Sequence, residues 1–285
     1  MSFLDASKAT PSTLSTGSMA FVGGNAGKSP ITMLQSSSKV DGTNKRVVFI
    51  RHGCTHMNEY LSTCPWGSPG FTDIFPQHRI HLYRDSPLSP RGVRQAQALA
   101  KSLGELGMGH EINELDLIIV SPLTRALQTL EIGLLPHIFS GNYETDQRPK
   151  VPIVALPHAA ERLYLISDVG KPRQELHEQY GHFVDFSFEE EEWWFMHDKT
   201  VESYVEWRPN GRYACRGEPD RMFDSRMTRL YKWIEDRPES TIAVICHWGV
   251  IEWMLDEDFH NCEMRVVPFD EIKPKSMTVS TTRGL

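Results

Sequence analysis

Two short runs of apolar and β-branched residues, Arg46–Ile50 and Thr241–Cys246, lie far apart in the chain, and each leads directly into a histidine. The first continues as Arg51-His52-Gly53 and the second as His247-Trp248-Gly249. Runs with this composition read as strands buried on both faces. Leu115–Val120 and Val151–Leu156 read the same way. Helical patterns separate the strands. Ser89-Pro90 opens one helix, since Ser caps helices well and Pro suits the first helical position. Ala96, Leu99, Ala100, Leu103 and Leu106 give it an apolar stripe, and Gly107 and Gly109 mark its end. Ser121-Pro122 repeats the cap signal before Leu123, Leu127 and Leu130. Met222–Ile234 reads as a helix, and a short helix follows Cys246.

Strands alternating with helices predict a three-layer α/β/α domain, with a mostly parallel central sheet and helices on both faces. Such sheets bind ligands at the carboxyl ends of their strands. Here those ends carry Arg51-His52, the run Ser121 to Arg125, the approach to Glu161, and His247. Two histidines, two arginines and a carboxylate are thereby predicted to converge on one sheet edge.

Two segments break the alternation. Residues 165–221 contain the run Phe188-Glu189-Glu190-Glu191-Glu192-Trp193-Trp194-Phe195 and read as an inserted, lid-like segment. The other reading is a surface excursion whose tryptophans fill the side of the core. Residues 1–44 are rich in Ser, Thr, Gly and Ala and read as a disordered leader, which leaves 45–285 as one domain. Asp5 and Asp41 are the leader's only acids, as in a transit peptide, but its lack of Arg speaks against one. The expected location is cytoplasmic, with a plastid or another organelle as the alternative.

The formal net charge of -7 over 285 residues argues against general nucleic-acid binding. A local arginine cluster still suits an anionic ligand. No apolar run approaches the ~20 residues that span a bilayer, so no membrane contact is expected. Five cysteines, an odd count without a Cys-x-x-Cys, imply free thiols in a reducing compartment. His78 and His81 are a poor metal pair, with no third ligand nearby. Cys215 and Arg221 have the spacing of cysteine phosphatases, but Glu218 and Asp220 between them would repel phosphate and no strand precedes them. Oligomeric state cannot be read.

The converging groups suit phosphoryl transfer, which depends on positioning and charge neutralisation. Guanidinium forks pair with phosphate oxygens, which assigns Arg51 and Arg125 to the phosphate. Neutral imidazole is nucleophilic near neutral pH, which makes His52 the nucleophile. Gly53 would keep the backbone clear of the phosphate, and His247 would donate to its oxygens. Glu161 is the candidate acid for the leaving alkoxide, with Asp168 in reserve.

Four ordered motifs match a known pattern. They are Arg51-His52-Gly53-x-Thr55-x-x-Asn58, Pro87-Leu88-Ser89-x-x-Gly92-x-x-Gln95-Ala96, Ser121-Pro122-Leu123-x-Arg125-Ala126-x-Gln128-Thr129 and His247-Trp248-Gly249-Val250. Together they resemble the histidine phosphatase superfamily, also called phosphoglycerate mutase-like, over roughly residues 46–255. Trp248 stands where one branch carries Asp, so the chain resembles the other branch. The resemblance implies a phosphorylated first histidine, no metal or other cofactor, and a small phosphorylated metabolite as partner. It also implies substrate contacts at Thr55 and Asn58. Ser167 to Pro172 and Asn261-Cys262-Glu263 resemble, more softly, phosphoglycerate mutase-like proteins of plants, algae and fungi.

Phosphatase is the leading expectation. Glu161-Arg162-Leu163-Tyr164 matches the mutase pattern in part, although Met57 and Leu165 depart from it, so a phosphoglycerate mutase-type transferase is the second. A phosphoester-binding protein without turnover is the third. His158-Ala159-Ala160 before the acid is irregular for the family.

Overall fold

The structure, a computed structural model, describes residues 45–64, 80–105, 114–139, 149–194, 218 and 220–272. Its centre is a five-stranded sheet built from β1 (Arg46–Arg51), β2 (Leu117–Val120), β3 (Ile153–Ala155), β4 (Thr241–Cys246) and β5 (Met264–Pro268), in the order β3-β2-β4-β1-β5. β3, β2, β4 and β1 pair in parallel, and β5 closes the edge antiparallel to β1. The helices are α1 (His56–Ser62), α2 (Ile80–Tyr83), α3 (Pro90–Glu105), α4 (Thr124–Gly133), α5 (Leu135–Ile138), α6 (Arg173–Tyr180), α7 (Asp220–Glu235) and α8 (Trp248–Leu255).

Side-chain alternation along each central strand divides the core into two layers. Val48, Ile50, Ile118, Val120, Ala243 and Ile245 face α3 and α4, through Ala96, Leu99, Leu127 and Leu130. Val47, Phe49, Leu117, Ile119, Ile242 and Val244 face α7 and α8, through Met227, Leu230, Ile251 and Met254. Burying both faces is what makes these strands continuous apolar runs rather than alternating ones. The predicted α/β/α architecture is the one observed.

Strand ends differ from expectation for local reasons. β2 begins at Leu117; just before it, the Asp116 carboxylate accepts from the backbone of Ser240 and Thr241 at 2.9 Å each, while its own N donates to Thr241 O. β3 is confined to Ile153–Ala155 between Pro152, which has no N–H, and Pro157, which starts a 3-10 turn. Ser89 caps α3 as predicted, accepting from Gly92 N at 3.3 Å. Ser121 is no helix cap. α4 starts at Thr124, and Asp85 caps it from a distant loop, accepting from Thr124 N at 2.9 Å and from its hydroxyl.

The described part of the inserted segment packs as part of the domain. Ala155 N donates to Asp185 O and Asp185 N donates to Ile153 O, which stitches this segment to β3. Trp193 and Trp194 are buried in the core layer of α3 and α4, and Glu189–Glu192 are exposed. For these residues core filling, rather than a lid, is the observed arrangement. Residues 195–217, the leader 1–44, Gly107, Gly109, His78 and Cys215 lie outside the described residues. Among the described residues no helix is long and apolar enough to cross a membrane.

Candidate active site

Sheet register brings the two histidines together. Arg51 pairs with Cys246 across β1 and β4, so the next residues, His52 and His247, leave the sheet side by side. Their rings lie 5.0 Å apart, centroid to centroid. Val120 pairs with Ile245, which sets Ser121 on the same edge. His52, His247, Ser121 and Arg125 are all buried.

Hydrogen bonds fix the tautomer of each ring. His52 Nδ1 lies 2.7 Å from Gly53 O, and a carbonyl can only accept. Nδ1 therefore carries the hydrogen, and Nε2 keeps its lone pair. His247 has the opposite pattern. Arg125 Nε donates to His247 Nδ1 at 3.2 Å, so His247 Nε2 carries the hydrogen and donates to Ser121 Oγ at 2.7 Å. Burial, with Arg125 and Arg51 adding to it, holds His52 well below the ordinary imidazole pKa. Burial, then Arg125 and His52, does the same to His247. Both rings are neutral at physiological pH.

The arginines are held and still have donors to offer. Arg125 uses Nε on His247, Nη1 on Ser167 O and Nη2 on Asp168 Oδ1, the last at 2.9 Å. That engages three of a guanidinium's five N–H groups within the described residues. Arg51 donates through Nη1 to Phe259 O, while its buried Nε has no partner. Burial works against the Arg51 charge, with Glu161 and Asp258 partly compensating. A buried, underused guanidinium beside two neutral imidazoles is an anion site in electrostatic terms.

Glu161 sits next to the second histidine. Its Oε1 accepts from Arg162 N at 2.8 Å, and its Oε2 accepts from Gly249 N at 3.2 Å, at the start of α8. Gly249 leaves room for this carboxylate: a Cβ there would lie 2.4 Å from Oε1 and would make the Glu161 side chain shift. Burial raises the Glu161 pKa, Asp168 raises it further, and Arg125 opposes both. Asp168, the reserve acid, has other duties: besides Arg125 it accepts from Leu165 N at 2.7 Å and Tyr164 N at 3.2 Å. Thr55 and Asn58 form a reciprocal capping box on α1, Thr55 Oγ1 accepting from Asn58 N and Asn58 Oδ1 from Thr55 N.

Several supporting groups went unread in the sequence. The sequence pattern at Ser121 is that of a cap, but its hydroxyl serves His247 instead. Thr129 Oγ1 accepts from Gly53 N at 3.0 Å, and Asn261 Nδ2 donates to His52 O at 3.0 Å. Both stand in the quoted motifs, where a polar residue in a buried stretch was the available signal. Gly53 also has a packing reason to be glycine, since a Cβ there would meet Gly92 O at 2.9 Å. Among the described residues no three His, Cys, Asp or Glu side chains cluster so as to hold a metal ion.

Residues 47–138 match the sequence model of the histidine phosphatase superfamily, branch 1. The stretch carries His52 and both arginines. The match indicates an enzyme of the phosphatase or mutase kind. Among solved structures the chain is similar to a putative alpha-ribazole-5'-P phosphatase from Escherichia coli, with 21% identity, 73% of this chain and 76% of that one covered, and a TM-score of 0.38. It is also similar to the ecdysone phosphate phosphatase of Bombix mori, with 18% identity, 73% and 74% covered, and a TM-score of 0.41. No curated protein matches the chain.

Proposed function

We propose that this chain is a phosphatase that hydrolyses a small phosphomonoester, without a metal ion, through a phosphohistidine on His52. The observation that carries the reading is the hydrogen-bonded tautomer of His52. Its Nδ1 is turned to Gly53 O, which leaves Nε2 as a neutral nucleophile within the field of Arg125 and Arg51. Arg51 and Arg125 bind the phosphate oxygens with their remaining N–H groups, and His247 Nε2–H turns from Ser121 to donate to the same oxygens. Asn58 contacts substrate through its amide nitrogen, the end not used in the capping box, and Thr55 orders the turn that presents it.

The chemistry then balances in two steps. His52 Nε2 forms a bond to phosphorus as the ester P–O bond breaks, and Glu161 gives its proton to the leaving alkoxide. Glu161, now a carboxylate, takes a proton from water. That water attacks phosphorus, the P–N bond breaks, and inorganic phosphate leaves neutral His52. The raised pKa of Glu161 suits a group that must first be an acid.

Phosphate release from a panel of small phosphomonoesters, measured for the intact protein and for His52→Ala, tests this. The expected result is release that falls to background in the variant. Transfer of the phosphoryl group to an organic acceptor without net release would indicate the mutase reaction. Binding without either would indicate a pocket that has lost turnover.

A further inference from the structure

Arg226 on α7 lies outside the four motifs, yet every N–H of its guanidinium has a partner among the described residues. Its Nη1 donates to His158 O at 2.9 Å and to Ala160 O at 2.8 Å. Its Nη2 donates to Glu161 O at 3.2 Å. Its Nε and Nη2 grip the Glu218 carboxylate in a fork, at 2.9 and 2.7 Å. All five N–H groups of a guanidinium are thus engaged. Arg226 and Glu218 are both buried.

The three carbonyls belong to the loop that carries Glu161. After the 3-10 turn Pro157–Ala159 this loop has no regular structure, so neither a sheet ladder nor a helix fixes its backbone. Glu218 completes the hold from the other side. Its N donates to Leu163 O at 2.6 Å, its Oε2 accepts from Leu163 N at 3.4 Å, and its O accepts from Arg162 Nε at 2.8 Å. The ion pair therefore binds the residues before and after Glu161. Glu161, Asp168, Glu218 and Arg226 also border one small cavity.

We infer that Arg226 and Glu218 are positioning residues that hold Glu161 where it protonates the leaving group. This rests on the reading of Glu161 as the acid. Lysine cannot replace Arg226, because three donors without a planar fork cannot serve three carbonyls and a carboxylate together. Misplacing a catalytic group by about 1 Å costs on the order of 100-fold in rate.

The test is the leaving-group dependence of turnover, measured with an alkyl phosphate and with an aryl phosphate whose leaving group needs no proton. For Arg226→Lys the expected kcat with the alkyl ester falls roughly 10- to 100-fold, the range given by one general acid and its placement. With the aryl ester kcat stays within about threefold, and KM is little changed for both, since Arg51 and Arg125 still hold the phosphate. A double variant, Arg226→Met with Glu218→Met, removes both charges, leaves no buried ion unpaired and should fold. It should show the same selective loss. Equal losses on both esters, or no loss on the alkyl ester, would overturn the assignment. An intact protein that turns over neither ester would instead remove the reading of the site itself, and a Glu161→Gln variant with unchanged alkyl turnover would show that Glu161 is not the acid.

Discussion

His247 donates with one ring nitrogen and accepts with the other, and both partners are buried. Ser121→Ala leaves the Nε2–H without an acceptor. The expected cost is about 1–3 kcal/mol of stability, the desolvation of one buried donor, read by urea denaturation. The depressed imidazoles also make stability depend on pH. In the unfolded chain each titrates near its ordinary value of about 6.5. In the fold each titrates well below that. Between those values the unfolded chain binds more protons, so the contribution is complete above about pH 6.5 and is lost as pH falls toward the folded value. Each ring adds a slope of up to about 1.4 kcal/mol per pH unit. Glu161 and Asp168, with raised pKa values, act in the opposite sense. A comparison with His247→Gln isolates the histidine: from about pH 6 to about pH 5 the intact protein should lose more stability than the variant, by up to about 1.4 kcal/mol. Parallel curves would mean that His247 is not held neutral. For activity the sign is set by Glu161. With an alkyl ester kcat/KM should fall on a basic limb above the ordinary glutamate range, and Glu161→Gln should abolish that limb along with most of the rate.

The elements meet at a few contacts that leave no room. α3 reaches the loop after His52 at Gly92, where a Cβ would lie 1.9 Å from Cys54 O. Both sides of that contact are backbone, so Gly92→Ala must part α3 from the loop. The expected cost is about 1–3 kcal/mol or more, with loss of phosphate release, since Gly53 and His52 adjoin the displaced carbonyl. The start of α4 depends on Asp85, a buried residue at φ 42 whose carboxylate caps Thr124. Asp85→Ala should destabilise by about 1–2 kcal/mol and loosen Arg125, one residue into the helix. These contacts explain what the sequence made legible. Strands and helices followed from period and caps, because burial on both sheet faces leaves continuous apolar runs. Glycines 92 and 249 stood in the motifs, but their reasons did not, since each serves a neighbour distant in sequence. Asp85 was unreadable for the same reason: a cap supplied from another loop leaves no spacing signal. At Ser121 the Ser-Pro pair that opens α3 recurs without capping a helix, because there the hydroxyl has a histidine to serve.

The molecule as a whole arranges a sheet so that chemistry gathers at one edge. Parallel β1, β4 and β2 end level, and the register alone places His52, His247 and Ser121 together. That much followed from the order of motifs, which is why the site was easier to read than the segment after it. Residues 165–194 showed no clear period, because they fill the side of an existing core layer instead of forming a layer of their own. Trp193 is 1% exposed, its Nε1 donates to Lys171 O at 2.9 Å, and Gly170 lies against its ring. Trp193→Ala should therefore cost about 3–5 kcal/mol in urea denaturation, as for a core aromatic. A change within about 0.5 kcal/mol would fit a surface residue instead.

The central claim is a covalent phosphoryl group on His52, and rapid quenching with an isotopically labelled phosphomonoester tests it most directly. The account predicts a label that survives alkali, is released by acid as a phosphoramidate should be, maps to the peptide containing His52, and is absent in His52→Ala. A protein that releases phosphate yet never carries the label, or carries it on another residue, would contradict it.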